Sequence, residues 1–222
     1  MKILGIDEAG RGCVLGPLVV GGYLMEAPTQ DSDLVEAGAA DSKTLSAKRR
    51  VQARTRLGPL GVPCIQRISA VDIDGGNLNQ LEEEAIRRLV LETRPDKVYI
   101  DALGHPTTIP KTIERIRRSL GPSFSELVIV MEPKADSTYP VVGAASIFAK
   151  TDRDDFLESL KSEFGNFGSG YPSDPKTKTW LQEWNRTRVE WPFFVRTRWG
   201  TIRNLAQQSM IPSRTTQTPE DA

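Results

Sequence analysis

Four carboxylates in this chain stand where an ionised side chain has little reason to be. Asp7 and Glu8 close the apolar run of "ILGIDEAGRG", Asp101 follows the apolar "VYI" of "VYIDAL", and Asp136 comes after "IVMEPKA", just ahead of a long helical stretch. An ionised acid set beside a hydrophobic strand is costly unless it is paired or holds a metal. Acids that converge also repel, and each raises the pKa of the next. A divalent cation removes both penalties. Mg²⁺ suits such a set, with hard oxygen donors, few protein ligands, and water and a substrate phosphate completing its shell. Each acid taken alone has a plainer reading, since an aspartate at a strand end usually caps a turn or helix, and Asp136 could cap the helix that follows. Two adjacent acids followed by two glycines are harder to explain in that way.

The other polar groups divide similarly. "GRG" at 10–12 offers backbone that a ligand can approach closely, because glycine carries no Cβ. Its glycines are spaced GxGxxxG and join two strands, which is not a dinucleotide fingerprint. "DSKTL" (41–45) presents Lys43 from a loop, either to a phosphate or within a capping box that opens the next helix. "AASIFAK" sets Ser146 and Lys150 four residues apart, on one helical face. "GYPSDPKT" exposes Tyr171 on a proline-stiffened loop, for packing or for stacking against something flat. The remaining acid clusters read as structural: "DIDGGN" (72–77) as a turn, "LEEEA" (81–85) as a solvated helix face, "DRDD" (152–155) as mostly exposed in mid-helix. The single histidine, His105, sits in a loop, so Ser–His–Asp and Cys–His chemistry has almost no support.

The elements that must position these groups follow from periodicity. Residues 3–6 and 17–25 read as strands joined by a glycine-rich turn. Residues 26–45 read as a polar loop, 46–57 as a helix and 62–70 as a strand. Residues 77–94 have helical spacing, with Leu78, Leu81, Ala85 and Leu89 on one face and Pro95 as the stop. Strands at 97–103 and 127–133 flank a helix at 108–120, and 139–165 is one long helix that Pro140 opens. Strands first, then alternating helices and strands, imply an α/β protein with a mixed sheet, whose ligands sit at strand ends.

With 222 residues the chain can bury one substantial core with a small appended part. No apolar run reaches the length of a membrane span, and the N-terminus meets acid too early for a signal peptide. Two distant cysteines without CxxC spacing suggest a reducing, cytoplasmic compartment. The net charge is zero, but between Lys176 and Arg203 seven bases face two acids, interleaved with Trp180, Trp184, Trp191, Phe193, Phe194 and Trp199. That segment either tracks a phosphate backbone or forms a helical part with aromatic core and solvated arginines. The polar tail is expected to be disordered, and a monomer is expected.

"GIDEAGRGCVLGPLVV", "DSKTL", "YIDALG", "KADSTYPVVGAASIFAKTDRD" and "GSGYPSDPKT", in this order, resemble ribonuclease HII, the type-two ribonuclease H family, over roughly residues 2–205. "WPFFVRTRWGT" and "TYPVVGAAS" are similar to its archaeal branch. The resemblance implies a ribonuclease H-like fold: a central mixed β-sheet flanked by helices, with a C-terminal helical extension. The catalytic domain would span 1–175, a substrate-contacting segment 176–208, and a tail 209–222. It implies hydrolysis of the RNA strand of RNA–DNA hybrids and cutting at ribonucleotides embedded in duplex DNA, in primer removal and ribonucleotide excision repair. The family's catalytic, metal-binding acids match Asp7, Glu8, Asp101 and Asp136, with two Mg²⁺ or Mn²⁺ ions when substrate is bound and 3′-hydroxyl and 5′-phosphate products. The backbone at Gly10, Arg11 and Gly12 would read the ribose 2′-hydroxyl, and Tyr171 would stack near the RNA–DNA junction. Lys43, Ser146 and Lys150 would lie near substrate phosphates. Cys13 stands where the family has proline, and Gly143 where serine is common. The tail lacks the glutamine-plus-two-aromatics signature of sliding-clamp binding, which argues against that partner.

Two other readings compete. An actin-like or sugar-kinase-type ATP enzyme also has a GIDxG-like first loop, but its two lobes need a longer chain. A non-catalytic nucleic-acid-binding module would use the basic C-terminal segment, but it leaves four strand-end acids unexplained.

Overall fold

The computed structural model describes residues 1–39, 45–102, 106–187 and 189–210, the last four by backbone alone. Five strands form one sheet: β1 (Lys2–Ala9), β2 (Leu18–Glu26), β3 (Val62–Ile68), β4 (Lys97–Asp101) and β5 (Val128–Glu132), in the order β3-β2-β1-β4-β5. The first three make an antiparallel meander, whereas β4 and β5 run parallel to β1. The helices are α1 (Asp31–Ala37), α2 (Ala47–Leu57), α3 (Ala70–Gly75), α4 (Leu78–Thr93), α5 (Ile109–Leu120), α6 (Ala135–Thr138), α7 (Pro140–Phe164), α8 (Pro175–Thr187) and α9 (Gly200–Met210). This is the α/β class expected, a mixed sheet covered on both faces. None of the described helices is long and apolar enough to cross a membrane.

Strand alternation decides which helix each residue meets. Leu4 and Ile6 of β1 and Val98 and Ile100 of β4 pack with Ile86, Leu89 and Val90 of α4 and Ile116 and Leu120 of α5. On the other face Tyr23 and Met25 pack with α1, α2 and the first half of α7. Here α7 comes down almost onto the sheet. A Cβ on Gly5 would lie 2.2 Å from the Val141 carbonyl oxygen, and one on Gly21 would lie 2.7 Å from that of Ala145. The small residues of β1, β2 and α7 thus allow backbone to meet backbone.

Two segments differ from expectation because local capping outweighs their polarity. Residues 31–37, expected as loop, form α1, whose Asp33 carboxylate accepts from the Gln30 amide at 2.7 Å. Gly38 ends it in the left-handed region (φ 102°), its amide donating to the carbonyls of Leu34 and Val35. Residues 72–75, expected as a turn, belong to α3, where Ser69 and Asp72 form a capping box. The long helix is present as α7, with Pro140 at its first turn as expected. The helix α9 ends at Met210, two residues into the segment assigned to the tail.

A third core joins the C-terminal part to the rest. Trp180, Leu181, Phe194, Val195 and Ile202 bury together with Val14, Leu15, Leu157 and Phe167. The interleaved aromatics therefore serve mainly as core, with Trp180 and Trp184 stacked at 5.1 Å. Lys176, Lys178, Arg186, Arg198 and Arg203 are exposed around them.

The backbone approach at Gly5 makes a direct prediction. Gly5→Ala should push α7 off β1 and cost roughly 1–3 kcal/mol, read as a lower urea midpoint. A midpoint equal to wild type would show that the approach is not close in solution.

Candidate active site

The parallel pairing of β1 with β4 sets Ile6 opposite Ile100, so the next residues, Asp7 and Asp101, are neighbours at the carboxyl ends of adjacent strands. Alternation gives Asp7 the α7 face, which Gly5 shares, and gives Glu8 the face of Leu4 and Ile6. The two acids adjacent in sequence therefore leave the strand on opposite sides. Asp7 is almost wholly buried. Burial is the main cause that raises its pKa above the ordinary carboxylate range; the Asp101 charge adds to it, while the Ser146 hydroxyl and Lys150 oppose it. Glu8 is raised as well, first by burial and then by the charges of Asp7 and Asp101, with Arg11 opposing.

Asp101 accepts a 2.9 Å hydrogen bond from the Ala135 amide, which ties the end of β4 to the start of α6 and brings the next residue, Asp136, to that side. Asp136 is buried in the first turn of α6, and the Ser137 hydroxyl donates to it at 3.4 Å. It does not cap the long helix; Tyr139 occupies that position. Ser146 and Lys150 of α7 both act on Asp7, as their shared helical face requires. Lys43 and His105 lie outside the described residues.

The groups form a pairwise chain, and among the described residues no three acidic, histidine or cysteine side chains could by themselves hold a metal ion. The donor set still fits one kind of ion. Buried, mutually repelling carboxylates at the ends of strands are what Mg²⁺ takes when water and substrate oxygens fill most of its shell.

The glycine turn after β1 is held more tightly than its sequence suggests. Gly10 has φ +87°, and a Cβ there would lie 2.3 Å from the Arg153 side chain. Gly12, by contrast, is exposed, and a Cβ on it would meet nothing within 4 Å. Nothing in the described residues packs against Gly12, so that side of the turn is open to a ligand. The turn is braced from behind by Arg196, a wholly buried arginine that donates to the carbonyls of Gly10 (2.7 Å), Arg11 (3.0 Å) and Gly16 (3.0 Å). Burial lowers the Arg196 pKa to about 10. Arg153 of α7, also buried, donates to the carbonyls of Leu15 and Ser169 and lies over the Tyr171 ring at 5.5 Å. The amides of Val14 and Leu15 donate to the Gly170 carbonyl, so the turn and the GYP loop are one unit with Tyr171 exposed on it.

These braces are not visible in the sequence. From sequence Arg196 is expected to be solvated or on a phosphate backbone and "DRDD" mostly exposed, whereas Arg153 and Arg196 are buried and Asp152 pairs with Arg67. "LEEEA" is expected as a solvated face, whereas Glu82 is wholly buried against Arg11. "DIDGGN" supplies Asp74, which accepts from the Thr197 amide and hydroxyl and the Arg198 amide. The available signal was a charged residue at a helical position shared with apolar neighbours, as with Glu82 beside Leu78 and Leu81.

A five-stranded mixed sheet with helices on both faces and acids at the ends of its parallel strands defines a ribonuclease H-like α/β protein. The ribonuclease HII family model matches residues 4–202. A ribonuclease HII from Methanothermobacter thermautotrophicus is 40% identical over 215 residues, covering 93% of this chain and 100% of that protein. The crystal structure of ribonuclease H2 from Pyrococcus horikoshii has a TM-score of 0.83 at 36% identity, covering 94% of this chain and 98% of that one. A ribonuclease HII from Archaeoglobus fulgidus, solved as a complex with PCNA, has a TM-score of 0.77 at 38% identity, covering 90% and 95%. The chain belongs to the ribonuclease HII family, in its archaeal-like branch, and is a ribonuclease H enzyme.

Arg196→Met should leave the turn carbonyls of Arg11 and Gly16 without a donor and that of Gly10 with the Cys13 amide alone. The expected loss is roughly 3 kcal/mol or more, measured by denaturant unfolding; a loss under about 1 kcal/mol would mean water reaches those carbonyls.

Proposed function

We propose that this ribonuclease H cuts RNA strands in RNA–DNA hybrids, and beside single ribonucleotides in duplex DNA, at the carboxyl ends of β1 and β4. The observation that carries the reading is the β1–β4 register, which makes Asp7 and Asp101 neighbours at the strand ends, and β1 runs on into a turn whose Gly12 is open to the outside. Asp7, Glu8, Asp101 and Asp136 are the residues that would hold divalent ions, Mg²⁺ or Mn²⁺. Two such ions, when bound, would supply an activated water and stabilise the leaving 3′-oxygen, giving 3′-hydroxyl and 5′-phosphate ends. The rest falls to the chain. Ser146 and Lys150 orient Asp7, and Lys150, half-buried in the middle of α7, is also the cation a scissile phosphate at this site would meet. The backbone at Gly10, Arg11 and Gly12 reads the ribose 2′-hydroxyl, the one group that separates RNA from DNA at a given step. Tyr171, exposed on the loop bonded to that turn, offers a flat face to the neighbouring sugar or base. Lys43 belongs to the same proposal as a phosphate contact.

Contacts of this kind fall on phosphate and sugar, so base sequence should matter little. The proposed cellular roles are primer removal and ribonucleotide excision repair. The Archaeoglobus relative was solved with PCNA, which weighs against the expectation that a sliding clamp is not a partner. That expectation rests on the tail, where residues 211–222 lie outside the described part.

A labelled duplex with one embedded ribonucleotide tests the proposal. Wild type with Mg²⁺ or Mn²⁺ should nick it and leave the all-DNA duplex whole, and EDTA should stop the reaction. Asp7→Asn and Asp136→Asn should each lower kcat by about 100-fold or more while hybrid binding persists. Full activity in either variant would remove that residue from the site, and equal cutting of both duplexes would end the sugar-reading proposal.

A further inference from the structure

Glu82 is the most improbable charge in the molecule. It lies in the second turn of α4, wholly buried, and the side chain set against it is Arg11 of the glycine turn. Among the described residues no other hydrogen-bond donor reaches either of its carboxylate oxygens. Arg11 also donates through its second terminal nitrogen to Asn79, one turn earlier on the same helix face. That first turn is itself fixed, because the Asn77 side chain accepts from the amides of Asn79 and Gln80 at 3.0 and 3.2 Å. A buried acid–arginine pair adds little stability compared with a well-packed apolar pair of its size, because desolvation offsets the attraction. Its physical effect is instead geometric. The guanidinium is a planar fork, so an acid and an amide held on one rigid helix set both its position and its orientation.

The consequence falls on the turn. Arg11 is gripped at both ends, its side chain by Glu82 and Asn79 and its carbonyl by Arg196. The peptide planes on either side of Arg11 are therefore fixed, with Gly12 turned outward. A reader of a hydroxyl group loses selectivity if its own groups can rotate to suit a sugar without one.

We infer that Glu82 is a positioning residue for ribose recognition: by holding the Arg11 side chain against α4, it sets the orientation of the turn backbone and so the preference for a ribonucleotide over a deoxyribonucleotide. The inference deepens the proposed function and rests on the reading that residues 10–12 face the 2′-hydroxyl.

The test compares wild type with Glu82→Gln, Glu82→Leu, Arg11→Ala and the double variant Arg11→Ala/Glu82→Gln. Two quantities are read: cleavage of a duplex with one ribonucleotide, and the ratio of Kd values for that duplex and its all-DNA counterpart, measured with Ca²⁺ in place of Mg²⁺. Glu82→Gln should weaken binding of the ribonucleotide duplex about tenfold, bringing the Kd ratio toward one, and lower kcat about tenfold, the scale of coupling between residues in one network, with the all-DNA Kd unchanged. Glu82→Leu, which leaves the half-buried Arg11 to Asn79 and solvent, should remain folded at the assay temperature and lose the same selectivity, which separates positioning from unfolding. In the Arg11→Ala background Glu82→Gln should add nothing. Retention of the wild-type ratio and kcat by folded Glu82→Gln or Glu82→Leu overturns the inference and leaves the ribose reading standing. Additive effects in the double variant overturn it too. A wild-type chain without preference for the ribonucleotide overturns the ribose reading and the inference together.

Discussion

Everything at the site depends on how one turn satisfies its own carbonyls. Residues 10–16 leave β1 and cross to β2 with Gly12 exposed, outside any helix or named strand that would serve their carbonyls. The answer is chiefly one buried arginine, with Arg153 serving the Leu15 carbonyl. Arg196 donates to three of these carbonyls, and its own amide donates to Val14. Burying a guanidinium is expensive, and burial does depress its pKa. The penalty is met because its bonds go to turn carbonyls, two of which, Arg11 and Gly16, would otherwise lack a donor. The same arrangement explains why the C-terminal segment belongs to the site. It contributes Arg196, the Leu15–Val195 bridge and the Asp74 anchor for residues 197 and 198.

Electrostatics then follows the pleat of the sheet. Asp7 and Glu8 are adjacent along the chain but leave it on opposite faces, and each is answered by a different cation, Lys150 from α7 and Arg11 from the turn. The neighbour that matters across space is Asp101, supplied by the parallel strand. Parallel pairing is the condition for this, because it brings two carboxyl ends of strands to the same edge, as antiparallel β2 cannot.

The elements that position the acids were legible because their signals are local. An apolar run ending in an acid predicts β1 and β4, and Pro140 followed by small residues predicts α7. The polar loop and turn that proved helical, α1 and α3, were hidden by composition, since each is short and owes its ends to capping rather than to an apolar stripe. The supports of the turn were illegible for a different reason. Arg153, Arg196 and Glu82 look like solvated charges in any window of sequence, and only packing against the distant residues Leu15, Gly10 and Arg11 turns them inward. A periodic pattern tells which face of a helix is buried; it does not tell that the partner on that face will be an arginine from a distant turn.

The two departures from the family pattern fit the same logic. At position 13 a proline would stiffen the turn but remove an amide. Cys13 keeps that amide, which donates to the Gly10 carbonyl at 3.2 Å, and its buried thiol lies in contact with the Tyr171 hydroxyl. The turn thus exchanges a rigid ring for a hydrogen bond and a tie to the GYP loop. At position 143 a serine would carry a Cβ only 2.0 Å from the Ala39 carbonyl oxygen. Glycine there lets the segment after α1 lie directly on α7, so a difference that looks conservative in sequence sets how closely the chain leading into "DSKTL" approaches the helix that bears Ser146 and Lys150.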